Sequence, residues 1–343
     1  MRSVQVTGPG RTAVLDVEKP VTGPGDVLVR IRACGVCGSD GLYIAVGGIP
    51  PRQGATPLGH EPAGEIAEVG AGVEGLAVGD HVVLNPMAAS DGIIGSGGAQ
   101  GGLSEFVLIR GARAGVHLVT IPKHIPYEVA ALNEPMAVAT HAVNRTAPVP
   151  GSKVVVFGAG PVGLGAAIGY QLRGAHVVVV DIVANRLDKA LRVGADAVIN
   201  SAEEDVPARL LELHGEAPPS FVRGARPDTD IYLDAAGAPA VLETVLAGVK
   251  HGATLGIVAV HKRPVPVDFG GLLTTELTVV LSMGYPTEIF EVTKDLVENW
   301  QRYELLISDR IPFAEAERAL ALGSTPGAAE KVVVTLDGVS AGA

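Results

Sequence analysis

The stretch CGVCGSDGLY, Cys34 to Tyr43, holds both cysteines of the chain. Two cysteines so close can be a redox pair, part of a metal site, or two small core residues. Further on, GHEPAG supplies His60 and Glu61, and NEPMAVATHAV supplies Glu134. Thiolate, imidazole and carboxylate are ligand types that zinc takes, and a catalytic zinc keeps one coordination position open. These residues are far apart in sequence, so spacing alone leaves ligation and plain packing both open.

A second chemistry is written in SKVVVFGAGPVGLGAA. Gly158, Gly160 and Gly163, with Pro161 and Val162 between, give G-x-G-x-x-G directly after an apolar strand and at the start of a helix. The first glycine permits the tight turn, the second lets backbone approach a pyrophosphate, and the third lets helix and strand pack closely. The helix amino terminus offers free N–H groups to the phosphates. The next strand, HVVVVD, ends in Asp181, 18 residues after Gly163. A carboxylate there can accept both ribose hydroxyls of the adenosine half and repels a 2′-phosphate, so NAD is expected over NADP. Arg186 can lie over the adenine or assist a 2′-phosphate. DAAG, with Ala236, and VAV, with Val258, end later strands whose carboxyl ends should line the same groove.

The elements that must position these groups change in texture near residue 150. Before it, short alternating runs with Gly turns read as half-buried antiparallel strands. After Gly151 the runs are solid: KVVVFG, HVVVVD, DAVIN, DIYLDAAG, ATLGIVAV and LTVVLS. Fully apolar strands between helical stretches, such as Asn185 to Val193 and Pro239 to Lys250, indicate a parallel sheet covered on both faces. From Tyr285 a helical run, Ile289 to Trp300, and a last strand, KVVVTL, are expected to return the chain to the first domain. The α/β reading is therefore a mainly-β domain over 1–143 and 285–343 and a coenzyme domain over 144–284.

Composition narrows the function. The 343 residues suggest two domains, and aromatics are only 4%, so the core must be built from Val, Ala, Leu and Ile. The formal net charge of −11 comes with no Lys/Arg cluster, which excludes a nucleic-acid partner. Between Lys153 and Arg173 lie 19 uncharged residues, about one membrane crossing in length, but five glycines and prolines in the middle suit strand, turn and helix better. No signal peptide follows Arg2, and the two cysteines form no disulfide framework, so a cytoplasmic, membrane-free protein is expected. The last coenzyme strand, Leu277 to Ser282, would leave an apolar sheet edge, for which two-fold pairing is the common solution. A homodimer or homotetramer is expected.

CGVCGSD, GHEPAGEIAEVGAGV, GDHVV, EPMAVATHAV, VVVFGAGPVGLGAA, VVDIVANRLDKALRVGAD and the closing KVVV, in that order, resemble the zinc-containing medium-chain alcohol dehydrogenases. Around Glu134 the likeness is to the polyol branch, which holds sorbitol, butanediol, threonine and L-idonate dehydrogenases. The resemblance implies a GroES-like catalytic domain, a Rossmann domain and a cleft between them. It implies hydride transfer between NAD(H) and a secondary alcohol or polyol, or its ketone. It makes Cys37 and His60 zinc ligands, Glu61 a direct ligand or one shell away, and Glu134 a ligand directly or through water, with Cys34 left to packing. It implies that Asp40 orients His60, that Ser39 accepts the alcohol proton, that Tyr43 points into the pocket, and that Lys331 approaches the cofactor phosphates. Arg52, in a cleft-wall loop over Gly47 to Pro57, can meet an acidic substrate or face water.

Two departures matter. Relatives hold a structural zinc with four cysteines in a lobe where this chain reads NPMAASDGIIGSGGAQGG, Asn85 to Gly102, without cysteine. One catalytic zinc and no structural zinc are expected. Relatives also end the proton relay on a histidine where this chain has Leu42. A metal-independent enone or quinone reductase, and a non-catalytic NADH-binding protein, are the competing readings.

Overall fold

The computed structural model describes residues 1–50, 52–221, 224–325 and 327–336. The chain divides into two compact units. One comprises Met1–Glu134 with the segment from Ile289 onward, and the other is Pro135–Glu288. No helix among the described residues is long and apolar enough to cross a membrane.

In the first unit, alternating apolar residues build mostly antiparallel strands around a valine- and leucine-rich core. The described strands of its main sheet run Leu118–Ile121, His81–Leu84, Glu61–Val69, Val27–Gly35, Val332–Thr335 and Asp309–Pro312, with Phe106–Ile109 pairing the start of Val27–Gly35. Two registers matter for chemistry. Gly35 lies opposite Glu61, and on the other side opposite Val333. The end of one central strand is thus flanked by the first residue of a second strand and by the beginning of the last. Immediately after it, the helix Gly38–Val46 begins, with Cys37 at its N-cap and Gly47 closing it in the left-handed conformation. The expected helix Ile289 to Trp300 is realised as two pieces, Glu291–Glu298 and Trp300–Glu304, broken at Asn299. The strands that follow join the first unit's sheet.

The second unit is a parallel sheet in the order Ala197–Asn200, His176–Asp181, Lys153–Phe157, Ile231–Asp234, Thr254–Ile257 and Thr278–Leu281 among the described strands. By chain order this is 3-2-1-4-5-6, the doubly wound order, with its switch point between the first and fourth strands. Beyond the first residues of two of them, the central strands are buried, which is why their sequences are solid rather than alternating. The helices Ala184–Arg192 and Pro239–Gly248 stand where helical periodicity placed them.

Candidate functional site

Cys37, His60 and Glu61 offer ligand atoms that all lie within 4.8 Å of one another. Local structure explains each placement. Asp40, at the third position of the helix Gly38–Val46, accepts the Cys37 N–H through Oδ2 at 2.9 Å and so fixes the residue that starts the helix. Its Oδ1 stands 3.6 Å from His60 Nδ1. The other imidazole nitrogen, Nε2, faces Ser39 Oγ at 3.4 Å. Asp40 therefore fixes the thiol-bearing turn and faces the imidazole.

Glu61 passes over Gly35. A Cβ at residue 35 would lie 1.8 Å from Glu61 Oε2, so only glycine lets the carboxylate in. Lys331 Nζ donates to that same Oε2 and, at 3.1 Å, to the Val36 carbonyl. Glu61 Oε1 is left buried and without a hydrogen-bond partner. The resemblance had placed Lys331 at the cofactor phosphates. In the structure its ammonium is buried on Glu61, because the last strand begins beside the Gly35 end of its neighbour.

The electrostatics are those of a negative pocket. Burial opposes the charge of His60, but the Asp40 carboxylate and the Cys37 thiol outweigh it and hold the imidazole well above its ordinary pKa. Burial likewise opposes the Lys331 ammonium, yet Glu61 first, then Cys37 and Glu134, keep its pKa raised. Glu134 is half-buried in the first turn of the helix Asn133–Thr146. Cys34 behaves differently. It is fully buried in the first unit's core, and burial, with Glu61 and Asp40, pushes its thiol up, so it stays protonated packing. The opening choice among three readings thus separates residue by residue: Cys37 joins the cluster and Cys34 does not.

A thiol, an imidazole and a carboxylate with one unpartnered buried oxygen fit a zinc ion with three protein ligands and an open position. The field that raises the His60 pKa is also one that attracts a cation.

Tyr43 packs against the core edge, and its hydroxyl stands 3.5 Å from Ser96 Oγ in the glycine-rich lobe. Arg52 Nη1 donates to the Gly98 carbonyl of the same lobe at 3.3 Å. Hydrogen bonds tie the lobe to the neighbouring strand. Gln100 clamps Leu108 through both its N–H and its carbonyl, and also donates to Asp91. Leu42 is 60% exposed.

In the second unit, the glycine turn follows the strand Lys153–Phe157 and caps the helix Pro161–Leu172, with Gly160 at the N-cap and Pro161 at its first position. A Cβ at Gly163 would lie 1.8 Å from the Gly158 carbonyl oxygen, which is the close helix–strand approach that the motif requires. Val162 is half-buried in the first turn. Asp181 Oδ2 accepts the Ala159 N–H at 2.7 Å, and Oδ1 accepts from Ile182 and Val183. Three of roughly four acceptor positions of this carboxylate are therefore taken by backbone. Arg186 is half-buried on the next helix. Ala236 lies exposed in the turn after Ile231–Asp234, and Val258 follows Thr254–Ile257. These residues stand at the carboxyl ends of strands one, two, four and five, where open α/β sheets bind ligands. The turn and its cradle fit a dinucleotide.

Comparison with known proteins identifies the family of each unit. Residues 23–123 match the alcohol dehydrogenase GroES-like domain, and residues 161–299 match the zinc-binding dehydrogenase domain. A (R,R)-butanediol dehydrogenase of Neisseria gonorrhoeae is 30% identical over 91% of this chain and 92% of its own length. The chain belongs to the zinc-binding alcohol and polyol dehydrogenase family. Within it, a sorbitol dehydrogenase of Bacillus subtilis is 32% identical over 74% of each chain. The crystal structure of 2R,3R-butanediol dehydrogenase from Bacillus subtilis superposes with a TM-score of 0.85 at 27% identity, covering 98% of this chain and 99% of that one. This zinc-binding dehydrogenase is thus an oxidoreductase with a GroES-like unit and a Rossmann unit.

Proposed function

We propose that the protein is a zinc-dependent dehydrogenase moving a hydride between NAD(H) and a secondary alcohol or polyol, or the corresponding ketone. One observation supports the reading most: thiol, imidazole and carboxylate gather within 4.8 Å beside the Ser39 hydroxyl. When bound, zinc supplies Lewis-acid polarisation of an alcohol or carbonyl oxygen, and the nicotinamide supplies the hydride acceptor or donor. Cys37, His60 and Glu61 would hold the metal, and Glu134 would approach it through water. Asp40 keeps a hydrogen on His60 Nδ1, so that Nε2 presents its lone pair. Ser39 takes the proton of the substrate hydroxyl and passes it outward. Leu42 cannot pass it on, so the relay ends in water at an exposed position.

One metal per chain is expected, since the only cysteine besides Cys37 is buried packing. The carboxylate of Asp181, beside the glycine turn, favours NAD over NADP. The butanediol and sorbitol dehydrogenases among the relatives support a small polyhydric alcohol as substrate. The edge strand Thr278–Leu281 exposes Val279 and Leu281, and Met283 follows it. We read this edge as the face for a second copy, which light scattering checks as a mass of two or four times 35.0 kDa.

The test pairs elemental analysis with a panel of secondary alcohols, polyols and ketones followed by NADH absorbance. One zinc per chain and turnover with a panel member are expected. Full turnover by metal-free protein, or no turnover with any member, would overturn the reading.

A further inference from the structure

A cavity of about 500 Å³ opens beside the segment that follows the strand Thr254–Ile257. His261, Lys262 and Arg263 line it over an apolar floor of Leu242, Val265 and Val267. Lys262 and Arg263 are exposed, and neither has a hydrogen bond or ion pair among the described residues. No carboxylate lines the cavity, although the chain carries a net charge of −11. Two uncompensated cations side by side repel one another unless an anion joins them.

His261 adds a third group. Its Nε2 stands 2.7 Å from Oδ2 of Asp234, which is fully buried. The other oxygen of Asp234 accepts the N–H groups of Ala236 and Gly237. An ionised carboxylate only accepts, so Nε2 donates its hydrogen to Asp234. Nδ1 is then left buried and without a hydrogen-bond partner. A buried nitrogen with no partner is costly. A ligand group that hydrogen-bonds Nδ1 removes that cost.

We propose that this cavity is a second ligand site of the coenzyme unit, which takes the phosphate or carboxylate group of a small molecule on His261, Lys262 and Arg263. It is distinct from the glycine turn, which receives phosphate at a helix amino terminus between other strands.

Isothermal titration of the full chain with inorganic phosphate, at constant ionic strength, tests it. The titration is run with saturating NADH, which fills the glycine turn, and again without it. The readout in both is the phosphate binding lost in the Lys262→Ala, Arg263→Ala double variant. Wild type should bind phosphate, and the variant should bind it about tenfold more weakly or worse with an unchanged melting temperature, because both side chains are exposed. No phosphate binding by wild type, or equal binding by both proteins, overturns the site. A second arm distinguishes a free anion from an anionic group on the substrate. If the substrate supplies it, the variant raises KM for a phosphorylated polyol but not for the parent polyol. If a free anion supplies it, both KM values stay level while wild type still binds phosphate. Each of these results supports the site, and loss of turnover alone leaves the titration readable.

Discussion

Lys331 donates to Glu61 Oε2 across 270 positions of sequence, and both side chains are buried. The pair joins the start of the last strand to the centre of the candidate metal cluster. Removing one member of a buried pair leaves the other charge uncompensated, at about 3–5 kcal/mol. Lys331→Met should therefore lower the unfolding free energy of metal-stripped protein by about that amount, and adding Glu61→Gln should recover much of it. Denaturant melts of the two single variants, the double variant and the wild type measure this coupling. A Lys331→Met protein as stable as wild type would show that the pair contributes nothing.

The two cysteines should separate cleanly. Cys37→Ala is expected to abolish zinc content and turnover together while NADH binding survives. Cys34→Ala should keep zinc and turnover and lose about 1 kcal/mol of stability from a small cavity in the core. Metal analysis and melting curves of both variants check this. Zinc retained in Cys37→Ala and lost in Cys34→Ala would reverse the assignment.

Asp181→Ser should weaken NADH binding about tenfold and narrow the preference for NADH over NADPH, since the charge that repels a 2′-phosphate is gone. It should also cost about 1 kcal/mol, because the N–H groups of Ala159, Ile182 and Val183 lose their acceptor. Fluorescence titration with both cofactors measures the ratio. An unchanged ratio would mean that another group sets cofactor choice.

Leu42→His restores a proton acceptor at an exposed position three residues after Ser39. Alcohol oxidation near neutral pH should rise about severalfold and its solvent isotope effect should shrink. If neither moves, proton exit through this position does not limit the reaction.

His214 gives the second unit an acid sensitivity. Its Nδ1 pairs with Thr229 Oγ1 at 2.7 Å, and Nε2 is buried without a partner. Burial first, then the neighbouring His176 and Lys153, push its pKa down from 6.5 to about 4. Above about pH 6.5 folded and unfolded forms are both neutral here, and the group's contribution is constant. Between about 6.5 and about 4 the unfolded chain binds the proton and the folded chain does not, so stability falls as pH falls. His214→Gln should flatten that limb and leave the melting temperature above about pH 6.5 parallel to wild type. Parallel curves through the acid limb would refute the assignment.

Much of this was legible from sequence because it depends on short-range rules. The glycine turn, Asp181 and the solid strands are set by backbone sterics and by burial on both faces, which local pattern records directly. The donor types of Cys37, His60 and Glu61 are visible as letters. Asp40 was named through the family resemblance, and its hold on the Cys37 N–H came only from the structure.

Tertiary structure alone decided which groups share charge. By spacing alone Cys34 and Cys37 look equivalent, and only the family resemblance told them apart; in the structure one lies near the end of a buried strand and the other caps a helix. Lys331 reads as a lysine before an apolar strand, and only the pairing of that strand beside Gly35 brings it to Glu61. The same holds for His261 against Asp234: Asp234 ends one strand and His261 follows the next. Strand register across hundreds of residues is fixed by the fit of whole buried faces, and no local window of sequence contains that fit.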